Sequence, residues 1–257
     1  MRVHPRDKNF LRNLSAILLL VAIGAGVEGL PATAGSSGVT ATVEIQSGAA
    51  KNANAKSGGA GDASGVVIWL KPLDAAAPSA APGHPRPQMA QHNKEFEPHL
   101  LVVQAGALVD FPNRDPFFHN VFSLFDGKRF DLGLYEAGST NSVRFDRVGV
   151  SYLFCNIHPE MSGVVVAVDS AYFGVSSASG AVTIANVPAG RYELHVWYER
   201  SLPEDLKALT RIVRVTDSAR DLGAISVIAN PNFTSAHTNK YGQEYVPPPS
   251  NGDYGNP

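Results

Sequence analysis

The stretch VSYLFCNIHPEMSGVVVAV, residues 150–168, decides how this sequence is interpreted. Its two ends, 150–154 and 163–168, are short apolar runs rich in β-branched and aromatic residues, which is typical of strands. The eight residues between them include Asn and Pro, which favour turns. The stretch therefore predicts two antiparallel strands joined by a tight loop that is held at both ends by a sheet.

Four side chains in and near this loop are suited to bind a metal. Cys155, His158 and Met161 lie within seven residues, and His119 lies upstream at the end of another strand-like segment. One Cys, two His and one Met are the ligands of a mononuclear blue-copper site, and a weak thioether ligand suits a metal that alternates between Cu(I) and Cu(II). The sequence predicts one copper ion and electron transfer. Zinc remains a rival metal, although structural zinc sites seldom contain methionine.

The N-terminus has the features of an export signal. Four basic residues within the first twelve precede the apolar run 14–23, and Ala32-Thr33-Ala34 follows as a small-residue cleavage site. A signal peptide is predicted at residues 1–34, and with it a periplasmic or secreted location. The apolar run is shorter than the roughly 20 residues of a membrane span, so we expect no stable membrane insertion after cleavage, with an uncleaved anchor as the alternative.

Short strand-like segments separated by Gly, Pro and Asn dominate the rest of the chain, which predicts an all-β protein with a β-sandwich fold. One short helix is expected at 203–209, where Pro and acidic residues open the segment. Two low-complexity stretches, 47–65 and 72–87, predict surface loops, and residues 230–257 predict a disordered tail. The clearest strands are predicted at 40–45, 66–70, 100–104, 108–111, 150–154, 164–168, 182–184, 192–197 and 211–215.

Residues 87–170 resemble the cupredoxins, the plastocyanin and amicyanin family of blue-copper proteins. The resemblance is carried by 103–115, by His119-Asn120-Val121-Phe122-Ser123 and by the short C-x2-H-x2-M spacing, which is amicyanin-like. It implies a Greek-key β-sandwich in which His119, Cys155 and His158 are the strong equatorial ligands and Met161 is the long axial one. It also implies that His158, at the molecular edge, passes electrons to partners.

A second resemblance covers the C-terminal part. Residues 179–197 are similar to the carboxypeptidase regulatory-like (transthyretin-like) module, in which a Val-Pro-x-Gly-x-Tyr turn, here 187–192, joins two strands. The resemblance implies a second small β-sandwich at 179–229 without chemistry of its own. The strands within 38–72 are expected to complete this second sandwich, which would make the copper domain an insertion.

Composition and histidine spacing limit the functions to consider. The formal net charge of -2 gives no basic surface for nucleic acid. The eight histidines include no His-x-His pair, so the sequence predicts no multicopper enzyme, and the protein is not expected to be an enzyme. The predicted function is an exported single-electron shuttle with redox partners such as a dehydrogenase, a cytochrome or an oxidase. A periplasmic copper carrier or resistance protein is the alternative.

Overall fold

The computed structural model describes residues 38–48, 62–74, 85–124, 127–233 and 237–245. The predicted signal peptide, residues 49–61 and 75–84 of the two low-complexity stretches, and residues 246–257 of the predicted tail lie outside the described residues. Within those that are described, no helix is long and apolar enough to cross a bilayer.

The described residues form strands almost throughout, which confirms the prediction of an all-β fold. The short helix predicted at 203–209 is present as α1 (Pro203–Ala208). The strands in chain order are β1 (Val39–Ser47), β2 (Val67–Pro72), β3 (Ala90–His92), β4 (Glu95–Glu97), β5 (Leu100–Gln104), β6 (Ala107–Pro112), β7 (His119–Ser123), β8 (Phe130–Tyr135), β9 (Thr140–Phe145), β10 (Gly149–Phe154), β11 (Ser162–Val168), β12 (Phe173–Val175), β13 (Ala181–Ile184), β14 (Gly190–Trp197), β15 (Arg211–Val215) and β16 (Asp221–Ala229).

These strands pair into three larger sheets and two two-stranded sheets. The larger sheets have the strand orders β13-β1-β16, β12-β2-β14-β15 and β5-β11-β10-β7-β8. The pairs are β3-β4 and β6-β9. The apolar side chains between them form one core inside each of two sandwiches, as the predicted fold class requires.

A third apolar cluster joins the two sandwiches. Along β11, Val165 and Ala167 face the core of the sandwich that carries the predicted ligands, while Val164, Val166 and Val168 face the opposite way. The outward set packs with Val67 of β2 and with partly buried aromatic residues of the neighbouring sheet. Because successive side chains of a strand point to opposite faces, the continuous apolar run of β11 reflects a strand covered on both sides.

The first two strands pair with strands from the other end of the chain. β1 pairs with β13 and β16, and β2 pairs with β12 and β14. Strands β3 to β11, which include both segments with predicted metal ligands, therefore lie in the chain between two strands of one sheet. The domain boundaries and the likeness of 179–197 to a transthyretin-like module remain predictions.

Candidate metal centre

Three neighbouring strands bring the predicted ligands together at one end of a sheet. β10 ends at Phe154, directly before Cys155, and β11 begins at Ser162, directly after Met161. Phe154 pairs with Ser162 across this hairpin and with Phe122 of β7 on the other side. His119 is the first residue of β7. The loop 155–161, called the ligand loop below, therefore closes over the end of the sheet next to His119.

The sulfur and nitrogen atoms of three predicted ligands converge. The Cys155 Sγ lies 3.8 Å from the His119 Nδ1 and 3.5 Å from the His158 Nδ1, and the two Nδ1 atoms are 3.1 Å apart. All three side chains are buried. Ligand atoms that each lie about 2.0–2.3 Å from one ion, as in zinc sites, are separated by distances of this order. The three residues therefore fit a single transition-metal ion bound through Sγ and two Nδ1 atoms.

The orientation of His119 is fixed from behind by Asp115. The His119 Nε2 lies 2.7 Å from the Asp115 Oδ2, and since an ionised carboxylate only accepts hydrogen bonds, Nε2 carries the proton and Nδ1 is left with a free lone pair. Asp115 also accepts hydrogen bonds from the backbone N–H groups of Asn93 (2.7 Å) and Lys94 (2.9 Å). A carboxylate behind a ligating histidine fixes its tautomer and raises its basicity.

The two N–H donors come from the tip of the β3-β4 hairpin. Asn93 and Lys94 have φ values of 55° and 61°, as a two-residue type I′ hairpin turn requires. The turn points both amides at Asp115. The hairpin thus supports the ligand strand β7 although it contributes no ligand itself.

Burial keeps the ligand side chains uncharged without a metal. It lowers the pKa of His158 to about 4, with the nearby His119 and Lys94 adding to the shift. Burial also lowers the pKa of His119, an effect that Asp115 partly offsets. The pKa of the Cys155 thiol is raised by burial, against hydrogen bonds from the backbone amides of Asn120, Ile157 and His158. Those three amides would stabilise the thiolate once a metal displaces the proton.

Met161 lies fully buried in the same core cluster as Cys155. The loop folds back on itself there, because the Cys155 N–H donates to the Met161 carbonyl (3.2 Å) and the Met161 N–H donates to the His158 carbonyl (3.1 Å). These bonds fix the internal shape of the ligand loop. Axial ligation by the Met161 thioether stays a prediction.

Aromatic side chains line the site. The Phe117 ring lies 5.2 Å from the His119 ring and 5.7 Å from the His158 ring, measured between centroids. Phe111 and Phe122 are buried in the sandwich, whereas Phe118 is 55% exposed. Water is therefore excluded from the interior side of the site, while the side near Phe118 faces solvent.

The described histidines outside this centre make other contacts. His92 pairs with Glu97, His99 bridges the Ser162 carbonyl and Glu199, and His195 stacks on Trp69. Among the described residues, no second group of three or more His, Cys, Asp or Glu side chains converges as His119, Cys155 and His158 do.

Comparison with known proteins finds similarity to solved structures. No protein-family model and no curated protein matches the chain. A purple cupredoxin from Nitrosopumilus maritimus is 24% identical over 32% of this chain and 99% of its own (TM-score 0.30). The Cu(I) form of an amicyanin variant is 21% identical over 39% of this chain and 98% of its own (TM-score 0.31). A copper-containing nitrite reductase from Thermus scotoductus is 21% identical over 38% of this chain (TM-score 0.32), and the chain spans 25% of that reductase.

The last of these similarities corrects one prediction. The expectation that this protein is not an enzyme is contradicted, because a copper-containing nitrite reductase is among the similar structures. The similarity covers a quarter of the reductase and identifies no enzymatic activity in this chain.

The sequence reasoning missed two sets of residues around the site. Asp115 stands four positions before His119, and a carboxylate so close to a predicted ligand was a usable signal. The second set lies in the predicted disordered tail, where the Tyr245 hydroxyl donates to the Cys155 carbonyl at 2.8 Å. No local pattern indicates that contact, because its acceptor is a backbone carbonyl.

Proposed function

We propose that this protein is an exported electron carrier that binds one type 1 copper ion through His119, Cys155 and His158, with Met161 as the weak axial ligand. The observation that carries the proposal is the convergence of the Cys155 Sγ with the two Nδ1 atoms in a buried site. The donor set matches copper chemistry, in which thiolate and thioether sulfur combine with imidazole. When bound, copper would supply a one-electron couple between Cu(I) and Cu(II).

The surrounding residues suit a site whose ligands move little. Asp115 and the β3-β4 turn hold His119 from behind. The β10-β11 hairpin and the internal hydrogen bonds of the ligand loop hold Cys155, His158 and Met161. Ligands held to within a fraction of an ångström by packing and supporting hydrogen bonds preserve one geometry. Such a site keeps its shape when the charge at its centre changes by one.

His158 is the proposed exit for electrons. It is 9% exposed, whereas Cys155, His119 and Met161 are fully buried. The neighbouring apolar side chains Ile157 and Phe118 are 42% and 55% exposed. An exposed apolar surface beside the most accessible ligand suits brief docking of a redox protein. We propose a dehydrogenase, cytochrome or oxidase as partners, and the signal peptide predicted at residues 1–34 supports a periplasmic or secreted setting.

The test is the visible and electron paramagnetic resonance spectrum of the purified protein with one equivalent of Cu(II), followed by reduction and reoxidation. We expect an intense thiolate-to-copper absorption band and a narrow copper hyperfine splitting, bleached and restored without loss of metal. Copper that leaves on reduction would favour a copper carrier. A colourless protein that holds zinc in preference to copper would overturn the proposal.

A further inference from the structure

The C-terminal segment His237–Tyr245, called the clasp below, lies against the ligand loop. The Tyr245 hydroxyl donates a hydrogen bond to the Cys155 carbonyl at 2.8 Å and lies 3.1 Å from the His237 Nδ1. A hydroxyl has one proton to donate, so with that proton on the Cys155 carbonyl the hydroxyl accepts from His237, and Nδ1 of His237 carries a hydrogen. The backbone of the cysteine is thus held from outside the sheet.

A second contact reaches the strand that carries His119. The Lys240 N–H donates to the Asn156 Oδ1 at 3.1 Å, and the Lys240 ammonium lies 2.8 Å from the Asp131 Oδ2. The other oxygen of Asp131 accepts from the Asn120 side chain at 2.7 Å. Asn120 follows His119 in β7 and also gives its backbone N–H to the Cys155 sulfur. The clasp therefore connects both ligand-bearing segments.

The clasp also has an apolar contact and a defined shape of its own. The His237 ring lies on the Phe154 ring, with centroids 4.0 Å apart and planes inclined by 31°. The Asn239 Oδ1 accepts from the N–H groups of Tyr241 and Gln243 at 2.9 and 3.0 Å, which folds the segment into a turn. A preformed turn loses less conformational freedom when it docks.

The internal bonds of the ligand loop fix its shape but not its position relative to His119. Three of the four predicted ligands lie in that loop, so metal release through loop opening requires Cys155, His158 and Met161 to move away from β7. We propose that the clasp opposes this movement, with Tyr245 as its main positioning residue, and thereby slows both local opening of the ligand loop and release of copper. The part of this inference that concerns copper rests on the proposed function.

The test compares Tyr245→Phe with Tyr241→Phe in the full chain. The first substitution removes only the hydroxyl that holds the Cys155 carbonyl. The second is the matched control, because Tyr241 belongs to the same segment and is 70% exposed, and phenylalanine keeps the ring that lies 5.3 Å from the Lys240 ammonium. Lys240→Met, which removes the ion pair to Asp131, serves as an independent second variant.

The first readout uses the metal-free protein. Hydrogen exchange of the Cys155 and Met161 amides, which are bonded within the ligand loop, should be about fivefold faster in Tyr245→Phe, the factor that corresponds to one neutral hydrogen bond. The same amides should exchange faster in Lys240→Met and at the wild-type rate in Tyr241→Phe. The free energy of global unfolding should fall by the amount that corresponds to this fivefold factor, because the unfolded state also lacks the bond. Amides that exchange through local openings elsewhere, in which the clasp stays bound, should keep the wild-type rate.

The second readout is the rate at which Cu(II)-loaded protein loses copper to excess chelator, which should also rise about fivefold in Tyr245→Phe. Unchanged exchange of the loop amides in Tyr245→Phe, or an equal change in Tyr241→Phe, would overturn the proposal that the clasp restrains the ligand loop. Faster exchange without faster copper release would overturn its role in retaining metal. If the wild-type protein shows no thiolate-to-copper band, the proposed function fails, while the exchange data still decide whether the clasp holds the loop.

Discussion

Asp115→Asn tests the idea that a buried carboxylate prepares His119 for metal binding. The substitution keeps the shape of the side chain but replaces one acceptor oxygen with an NH2 group. In the structure, Oδ1 accepts from Asn93, while Oδ2 accepts from both Lys94 and His119. In either orientation of the new amide, its NH2 group faces at least one N–H donor. The preferred orientation keeps the two bonds at Oδ2 and leaves the Asn93 N–H without an acceptor.

The size of the effect follows from these contacts. A hydrogen bond to a charged acceptor contributes about 1.5–3 kcal/mol, and a buried donor without a partner costs about 1–3 kcal/mol. We expect Asp115→Asn to lower the free energy of unfolding of the metal-free protein by about 3 kcal/mol. Copper affinity should fall by about 10- to 100-fold, as is usual when a residue that orients a ligand is changed.

The pH dependence gives a second check with a definite sign. Burial alone would raise the pKa of Asp115, but the hydrogen bonds from Lys94, His119 and Asn93 outweigh it, and the pKa lies below its usual value. A lowered carboxyl pKa stabilises the fold above the unfolded value of about 3.9, and that stabilisation is lost as the pH falls through the folded pKa. The stability difference between wild type and Asp115→Asn should therefore shrink below about pH 4.

The assay is urea unfolding of the metal-free proteins at pH 7 and at pH 3.5, followed by a copper competition titration at pH 7. Asp146→Asn is the control, because the Asp146 side chain is 53% exposed and pairs with Lys128 at the surface. Such a pair contributes about 0–1 kcal/mol. If Asp115→Asn behaves like this control in stability and in copper affinity, the carboxylate does not organise the site and the reasoning is refuted.

Three further predictions concern the thiol, the buried histidines and the second sandwich. Cys155→Ser should abolish the blue absorption while far-ultraviolet circular dichroism stays that of the folded sandwich; an unaltered visible spectrum would refute the ligand assignment. The metal-free protein should lose stability as the pH falls from about 6.5 to about 4. The reason is that histidine in the unfolded chain titrates near 6.5, whereas burial lowers the pKa of His158 to about 4 in the folded protein. Urea midpoints that stay constant over this range would contradict a buried neutral site. Gly180→Ala should lower the free energy of unfolding by about 3 kcal/mol or more, because a Cβ there would collide with the Val43 carbonyl oxygen. Gly223 has a similar positive φ but open space around it. Gly223→Ala should therefore cost only about 1 kcal/mol of backbone strain in the same unfolding assay.

The ligand loop could be predicted from sequence because its information is local. The apolar strands on either side, the turn residues between them and the spacing of Cys155, His158 and Met161 all lie within nineteen residues. The sequence analysis placed His119 at the end of a strand-like segment, whereas the structure has it as the first residue of β7. The structure brings His119, Cys155 and His158 together as this pattern predicts.

The supporting contacts depend on pairings between distant segments. Asp115 receives two of its hydrogen bonds from Asn93 and Lys94, in a hairpin that the sequence analysis did not predict. β2 pairs with β12 about a hundred residues further along the chain, and local alternation carries no information about such a partner. The contact of Tyr245 with the Cys155 carbonyl leaves no trace in side-chain patterns. Long-range pairing is what single-sequence patterns leave open.

The strands on either side of the ligand loop are packed on both faces, and this packing makes the end of the sheet a rigid base for the metal site. Leu153 and Val165 face the core of their own sandwich, while Val150, Tyr152 and Val166 pack toward the sheet that contains β2. A strand with a packed layer on each side cannot bend toward either without opening one of the layers, because protein interiors hold few voids. The second sandwich then contributes to the metal site without contributing a ligand, since it limits the movement of β10 and β11. The clasp limits the movement that remains, which is that of the ligand loop beyond the ends of those two strands.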